Sequence, residues 1–343
     1  MSFSFRPTTA SDRPAIVALL DSAGLHARSG ERDMHWKYWQ ERPDWPGARS
    51  YVLARGAEIF AHAGVVPSTC IWNGQRARML HLIDWAAAPG RVGAGVTLLK
   101  QIGWLADALI GVGGNEDTLR SLPAIGFRQC STETEYVRVL HPLRYLTNSP
   151  HWGWKTLPKL ARSTLWALSA STHLGDQWKW QRLSPNQLPS LDAVLPRAGA
   201  DGAVLERSGA LFAYLLKCPI ATMAMHRVDK AGGARGYFLL AFVPGQARLV
   251  DCWVDSREPS DWRALVQCAV NAARQDPGVA ELAAVANDAL LSDALTRGGF
   301  RARDTNPIQM LVRKGHTVPP SFRVQMLDSD AAYRHHGYAR YLA

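Results

Sequence analysis

The chain has 343 residues, 47% of them hydrophobic and 20% charged. That usage excludes a disordered polymer, and at about 150 residues per domain the length suits two cores. A formal net charge of +10 gives a positive field that attracts anionic partners without naming one. No Lys/Arg-rich run or nucleic-acid motif stands out, so no specific nucleic-acid partner is expected.

No run approaches the roughly 18 apolar residues of a membrane span. The start, Met-Ser-Phe-Ser-Phe-Arg-Pro, lacks a signal-peptide core, so a cytoplasmic location is expected. The five cysteines are widely spaced and form no C-x-x-C pair, which argues against a disulfide framework and a zinc knuckle. They read as buried apolar fillers.

In chain order, residues 10–24 read as a helix with Ile16, Leu19 and Leu20 on one face, opened by Thr9, Ser11 or Asp12. Runs 50–55, 58–66, 69–73 and 77–86 read as strands, with Asn73-Gly74 as a hairpin turn. A helix over 94–108, a strand over 109–113, a helix over 116–124 and a strand over 132–139 follow. Mixed strands flanked by helices predict an α/β layer structure.

Residues 146–182 carry Trp152, Trp154, Trp166, Trp178 and Trp180 among Lys155, Lys159, Arg162, Lys179 and Arg182. Leu157, Leu160, Leu165 and Leu168 fit one stripe of a linker helix packed across both halves. The other reading of 152–182 is a basic, aromatic surface in peripheral contact with an acidic membrane or partner. Residues 320–343 read as a tail folded back over one domain, with Phe322, Val324 and Met326 alternating like an edge strand. Asp328-Ser329-Asp330, Tyr333, His335 and His336 are too loosely spaced to make a metal site.

The two halves echo each other. Tyr38/Pro43 and Tyr214/Pro219 share a spacing; Ala54-Arg55-Gly56 and Val66-Pro67 are matched to Ala234-Arg235-Gly236 and Val243-Pro244. Leu82-Ile83-Asp84 corresponds to Leu249-Val250-Asp251, and each half closes on an Asn, a helix and Gly-Phe: Asn115 to Gly126-Phe127, and Asn287 to Gly299-Phe300. These anchors predict a tandem duplication. The expected division is 1–145, a linker over 146–182, a degenerate copy over 183–318 and a tail over 319–343.

After the strand ending near Ala86, Pro89-Gly90-Arg91-Val92-Gly93-Ala94-Gly95-Val96 forms a glycine-rich turn into a helix. Free N–H groups at such a helix start present partial positive charge to a phosphate. The loop lacks the Lys-Ser/Thr ending of a nucleotide P-loop and the spacing of a dinucleotide fingerprint. Strand, Arg/Gly loop, helix, strand, Asn, helix and Gly-Phe together resemble the GNAT superfamily of acyl-CoA N-acyltransferases, in both halves. Gly93-Ala94-Gly95 matches the Gly-x-Gly of its motif, while Gly90 falls on the first motif position and Arg91 is displaced by one.

The resemblance implies two tandem GNAT-like domains, each a mixed central β-sheet flanked by helices. It implies acetyl-CoA or another acyl-CoA as co-substrate, with Arg91, Val92, Gly93, Ala94, Gly95 and Val96 holding the pyrophosphate. The pantetheine would run beside 79–86, and Asn115 would touch the cofactor. Leu122 occupies the place of the family's Tyr acid, so that acid is absent, replaced or supplied by water. The second half has Asp255-Ser256-Arg257-Glu258-Pro259-Ser260 and no Gly-x-Gly after Asp251, so cofactor is expected only in the first half.

Acyl transfer to an amine needs a base, donors for the oxyanion and exclusion of water. Asp84 is the first candidate base, with a raised pKa expected beside Trp85, and His81 and His62 are alternatives. Trp36, Tyr38 and Trp39 could line an acceptor site, although aromatic clusters also build cores. Glu116 and Asp117 suit a helix start. The expected acceptor is an amine on a small molecule or sugar. A non-catalytic tandem binding protein and an aminoacyl-tRNA-dependent transferase are the alternatives.

Overall fold

The structure is a computed structural model and describes residues 3–25, 30–145, 156–169, 174–197, 203–319, 322–335 and 341–342, of which 156–160 and 168–169 by backbone alone. The same series of elements runs through it twice. The first pass is β1 (Ser4–Pro7), α1 (Arg13–Ser22), α2 (Glu31–Met34) with a π-helical turn over His35–Trp39, then β2 (Ser50–Arg55), β3 (Glu58–Trp72) and β4 (Gln75–Ala87). It ends with α3 (Ala94–Ile102), β5 (Ala108–Val112), α4 (Glu116–Ile125) and β6 (Arg128–Val139). After α5 (Thr156–Ser169), the second pass is β7 (Trp178–Arg182), β8 (Val204–Leu205), α6 (Gly209–Leu215), β9 (Thr222–Lys230), β10 (Gly233–Val243) and β11 (Gln246–Val254). It closes with α7 (Pro259–Arg274), β12 (Glu281–Ala286), α8 (Ala289–Arg297) and β13 (Arg301–Val312).

All the strands join in one sheet, in the order β1-β2-β3-β4-β5-β13-β6-β12-β11-β10-β9-β7, with β8 beside β3. The two passes exchange their last strands. β13 pairs antiparallel with β5, and β6 with β12, so each repeat's final strand completes the other's array. Separating the halves would therefore expose a central ladder, not merely a side-chain interface. Trp178–Arg182, the end of the expected linker, is the edge strand beside β9.

Within each array one parallel pair sets the site. β4 and β5 pair at Met79–His81 with Ala108–Ile110, and β11 and β12 at Gln246–Leu249 with Glu281–Ala284; beyond those points neither pair is bonded. Each pair thus opens into a wedge-shaped gap at the C-terminal ends of its strands, where α/β sheets place ligands. The face bearing α3 is filled by Leu98, Leu99 and Ile102 against Leu53, Ala63, Val65 and Leu80. On the opposite face α1 packs against Val52 and Ala54.

Several elements differ from the sequence reading. The expected strands 58–66 and 69–73 are one strand running through Pro67, because the Pro67 carbonyl faces Arg42 and not β4. The missing N–H lies on that same outer side, where β2 has already ended at the Ser50/Gly64 pair, so no ladder bond is lost. The helix expected over 94–108 stops at Ile102, capped at Gly103. Asn73 and Gly74, both at positive φ, form the hairpin turn as expected.

In α5, Ser163 and Trp166 pack inward while Leu165, the one member of the expected leucine stripe whose side chain is described, is 70% exposed. Trp166 lies under Arg301 and Arg303 and donates to the Gly299 carbonyl, which docks the helix on the second half. Trp152, Trp154, Lys155 and His336 lie outside the described residues, as do the side chains of Leu157, Lys159, Leu160 and Leu168. Phe322, Val324 and Met326 are buried but form no strand. No helix among the described residues is long and apolar enough to cross a membrane.

Candidate active site

The first gap is bordered by the loop between β4 and α3. Gly90 and Gly93 adopt positive φ there, 75° and 80°, which lets the chain turn sharply and start α3 without a side-chain cap. The Arg91 amide donates to Ala88 O and the Ala94 amide to Arg91 O. The amides of Val92, Gly93, Gly95 and Val96 have no main-chain acceptor among the described residues, and they cluster where the helix dipole is positive. A Cβ on Gly95 would come 3.0 Å from Trp85 Nε1, so the helix start lies tight against β4. The Arg91 side chain turns outward to Glu58 (2.7 Å) and over Phe60.

Across the gap, Gly113 and Gly114 precede Asn115, which caps α4 by accepting from the Thr118 amide. A Cβ on Gly114 would meet the Thr118 side chain at 2.5 Å with φ at 119°, so glycine is required there and the lip stays bare. Leu122, in the place of the family's Tyr, is buried in the α3 core and offers no proton.

At Asp84 strand β4 bulges: its φ is 47° and the pairing with β3 shifts between His62 and Gly64. The bulge frees the Asp84 carbonyl, and His62 Nδ1 donates to it at 3.0 Å. His62 Nε2 then accepts from Ser50, Ser50 from Thr8, and Thr8 from Trp39 Nε1, a chain in which every donor is used. Burial keeps this imidazole neutral, with its pKa lowered to about 4.

The Asp84 carboxylate points to the α1 face. It meets Lys37 Nζ at 2.5 Å and accepts from Tyr38 Oη at 2.5 Å, and Lys37 Nζ also reaches Asp330 Oδ2 at 3.1 Å. Burial alone would raise the Asp84 pKa, but the Lys37 charge and the hydrogen bonds from Lys37 and Tyr38 outweigh it and hold the carboxyl below its ordinary range. The expectation of a raised value is thus reversed. Lys37 is kept protonated despite its burial by Asp84, Tyr38 and Asp330 together. His81, 1% exposed at the apex of the gap, has neither ring nitrogen bonded among the described residues; burial and the charges of Arg207 and Arg42 lower its pKa to about 3.

The second gap carries the same frame and is filled. Gln325 Nε2 donates to the Cys252 carbonyl (3.1 Å), and the Cys252 amide donates to Gln325 Oε1 (2.9 Å). Asn287 Nδ2 donates to Phe322 O and its Oδ1 accepts from the Val324 amide, so residues 322–325 of the C-terminal segment thread the gap between β11 and β12. Arg323 stacks over Trp262 and pairs with Asp288. Pro259 removes one N–H from the start of α7, and Glu258 and Asp261 flank it, so no anion cradle forms. Asp251, the counterpart of Asp84, accepts from Arg207 Nη2 and Nε (3.0 and 3.1 Å) and from Tyr237, while Arg207 also holds Asp328 at 2.9 Å.

The structure therefore brings Asp84, Tyr38, His62 and His81 onto one face beside the first gap, with Arg91–Val96 and Asn115 along its rims. Trp36 lies apart from them, stacked on Tyr214 at 5.1 Å and edge-on to Tyr333 in the core between the halves. Helix caps correct one repeat anchor: Asn115 corresponds to the cap Asp288 and not to Asn287, whose place in the first repeat is Gly114. Ala54-Arg55-Gly56 ends β2 and enters the turn to β3, whereas Ala234-Arg235-Gly236 lies within β10, so that anchor does not superpose. Lys37, Arg207 and Gln325 were missed, and Asp328 and Asp330 were weighed only as metal ligands. The one available signal was Lys37 itself, a lone cation amid the aromatics of His35–Trp39.

No family model matches the chain, and no curated protein does. Solved structures do. A tandem GNAT protein from the clavulanic acid biosynthesis pathway aligns with a TM-score of 0.58 and 13% identity over 91% of this chain and 98% of that one. N-myristoyltransferase of Saccharomyces cerevisiae, with bound myristoyl-CoA and inhibitors, aligns with 0.61 and 11% over 90% and 80%. A GCN5-related N-acetyltransferase from Anabaena variabilis ATCC 29413 gives 0.58 and 11% over 91% and 73%. The chain has the GNAT fold in tandem form.

Proposed function

We propose that the protein is an N-acyltransferase that moves an acyl group from acyl-CoA to an amine, using the first gap alone. The observation that carries this reading is the contrast between the gaps: one keeps bare main-chain donors along its rim, while the other is stoppered by the chain's own tail. The four unpartnered amides at Val92, Gly93, Gly95 and Val96 suit a pyrophosphate. The Arg91 and Ala94 amides, already spent on the turn, contribute only shape.

The tail supports this reading. Gln325 bonds the amide and carbonyl of Cys252, the residue after Asp251; the equivalent groups are those of Trp85, after Asp84. No side chain among the described residues bonds the Trp85 main chain. The amides of an acyl-CoA pantetheine arm fit there, and the Trp85 N–H then stands near a thioester carbonyl, where it stabilises developing oxyanion charge.

The acceptor amine approaches from the Asp84 face. The Asp84 carboxylate attracts it as an ammonium, which gives one proton to water to become the nucleophilic amine; once the C–N bond has formed, the weakly basic carboxylate takes the second proton from the nitrogen. The C–S bond then breaks and the thiolate takes up a proton from water. His81, neutral and unbonded, supplies a hydrogen-bonding group at the apex. Acetyl-CoA is the simplest donor, and a small-molecule or sugar amine the acceptor class.

The test is calorimetric titration with acetyl-CoA, paired with thiol release against a panel of primary amines. The native chain should bind one acetyl-CoA in the micromolar range, and a Gly93→Asp/Gly95→Asp variant should lose at least about 100-fold in affinity, since two carboxylates would then face the diphosphate. No heat from the native chain at high micromolar ligand would reject the reading.

A further inference from the structure

Both repeats bury the same charged triad, and the C-terminal segment supplies one member to each. In the second repeat Asp251, Arg207 and Asp328 are at most 4% exposed at the side chain. Arg207 is a fixed fork that holds both carboxylates at once and cannot lose its proton, an arrangement suited to permanence. In the first repeat the cation is Lys37, a single point charge shared between Asp84 and Asp330, with the three side chains 6–10% exposed. Tyr38 competes for the same Asp84 oxygen that Lys37 holds. Substituting a movable point charge for a fixed fork, beside the gap that is open, is a departure from a purely structural design.

Three elements face Asp84: the π-helical turn with Lys37 and Tyr38, β3 with His62, and the C-terminal segment with Asp330, Tyr333 and Arg334. The charge of Asp330 acts on Asp84 by two routes, both of which raise its proton affinity. It repels Asp84 directly, and it draws Lys37 part of the way off it.

We propose that Asp330 is a positioning residue of the first site, which through Lys37 fixes the aim and the proton affinity of the Asp84 carboxylate where the acceptor amine arrives. This rests on the acyl-transfer reading above. The last residues of the chain thereby stopper one gap and complete the other.

The test reads the Asp84 carboxyl directly, by carbon-13 NMR of aspartate-labelled full chain, with Asp84→Asn to assign the signal. Asp330→Asn should move Asp84 titration further below its native position, because Lys37 is left to Asp84 alone. Lys37→Met should move it the other way, above the ordinary carboxylate range. Asp330→Glu should restore it in part, and Asp330→Ser is the fallback should Asn not fold. In thiol release, Asp330→Asn should lower kcat about tenfold or more with KM for acetyl-CoA unchanged, and its acid limb should follow the carboxyl. Unmoved Asp84 titration in both Asp330 variants overturns the proposal, as does an Asp330→Asn enzyme with native kcat and pH profile. A native chain that binds no acetyl-CoA refutes the acyl-transfer reading instead, and the carboxyl titration still decides the role of Asp330.

Discussion

The two gaps start from one plan and end with opposite fates. Each follows a parallel strand pair, each has a buried aspartate on the strand before the gap, and each is followed by a helix that ends in the same turn: Phe127 and Phe300 donate to Leu122 and Leu295 carbonyls. The first keeps glycine where the second has committed side chains, at Gly93 against Glu258 and at Gly114 against Asn287. A few side chains on the rims thus decide whether a shared frame admits a ligand or its own polypeptide. Duplication followed by stoppering also lets the second copy serve as a brace, because the tail that fills it carries Asp328 and Asp330 to both triads.

The sharpest way to break this comparison is Arg207→Met. It would strand Asp251 and Asp328 without their cation, and should cost about 3–5 kcal/mol in chemical denaturation. Acetyl-CoA affinity of the folded fraction should be unchanged; a loss of affinity at constant fold would show that the second triad is not merely a brace.

Acid should strain the first half more than the second. His62 and His81 remain neutral when folded, to about pH 4 and about pH 3, whereas in the unfolded chain they protonate near 6.5. Between those values the unfolded state binds more protons, so stability falls as pH falls below 6.5, by about 3 kcal/mol per histidine near pH 4.5. In the second repeat Arg248 stands where His81 does and is bonded to Gln246, Ala331 and Arg334, and His226 on β9, with its pKa lowered to about 4 by burial, is a single such histidine against two in the first. Denaturation of His81→Leu from pH 7 to 4.5 should show a shallower loss than native; an equal slope would mean that His81 does not titrate on unfolding.

Gln325→Ala should have a smaller effect. It removes both bonds to Cys252 and should lower stability by about 1–2 kcal/mol, measured by thermal unfolding, without creating a second acetyl-CoA site. The appearance of a second site would mean that the stopper alone, and not the acidic rim of α7, keeps acyl-CoA out.

Much of this was legible in the sequence because it is local. Asn73-Gly74 states its own turn, Gly93-Ala94-Gly95 its helix start, and the repeated Asp and Gly-Phe the duplication. The strand exchange was not, since β6 and β13 carry no mark of which β5-like strand they will join; register across repeats is fixed only by the assembled sheet. The sign of the Asp84 shift was missed for a related reason. Asp330 lies 246 residues away in sequence, and Lys37 reaches Asp84 only through a π-helical turn and a bulge that no periodicity announces. Trp36 shows the converse, an aromatic in a suggestive run that serves the core between the halves.

The most direct measurement is amide hydrogen exchange with and without acetyl-CoA. One bound ligand should slow exchange at residues 92–96 and at 85–87, and leave 252–262 as they were. Protection at 252–262, or none at 92–96 under saturating ligand, would contradict the assignment of the open first gap as the acyl-CoA site.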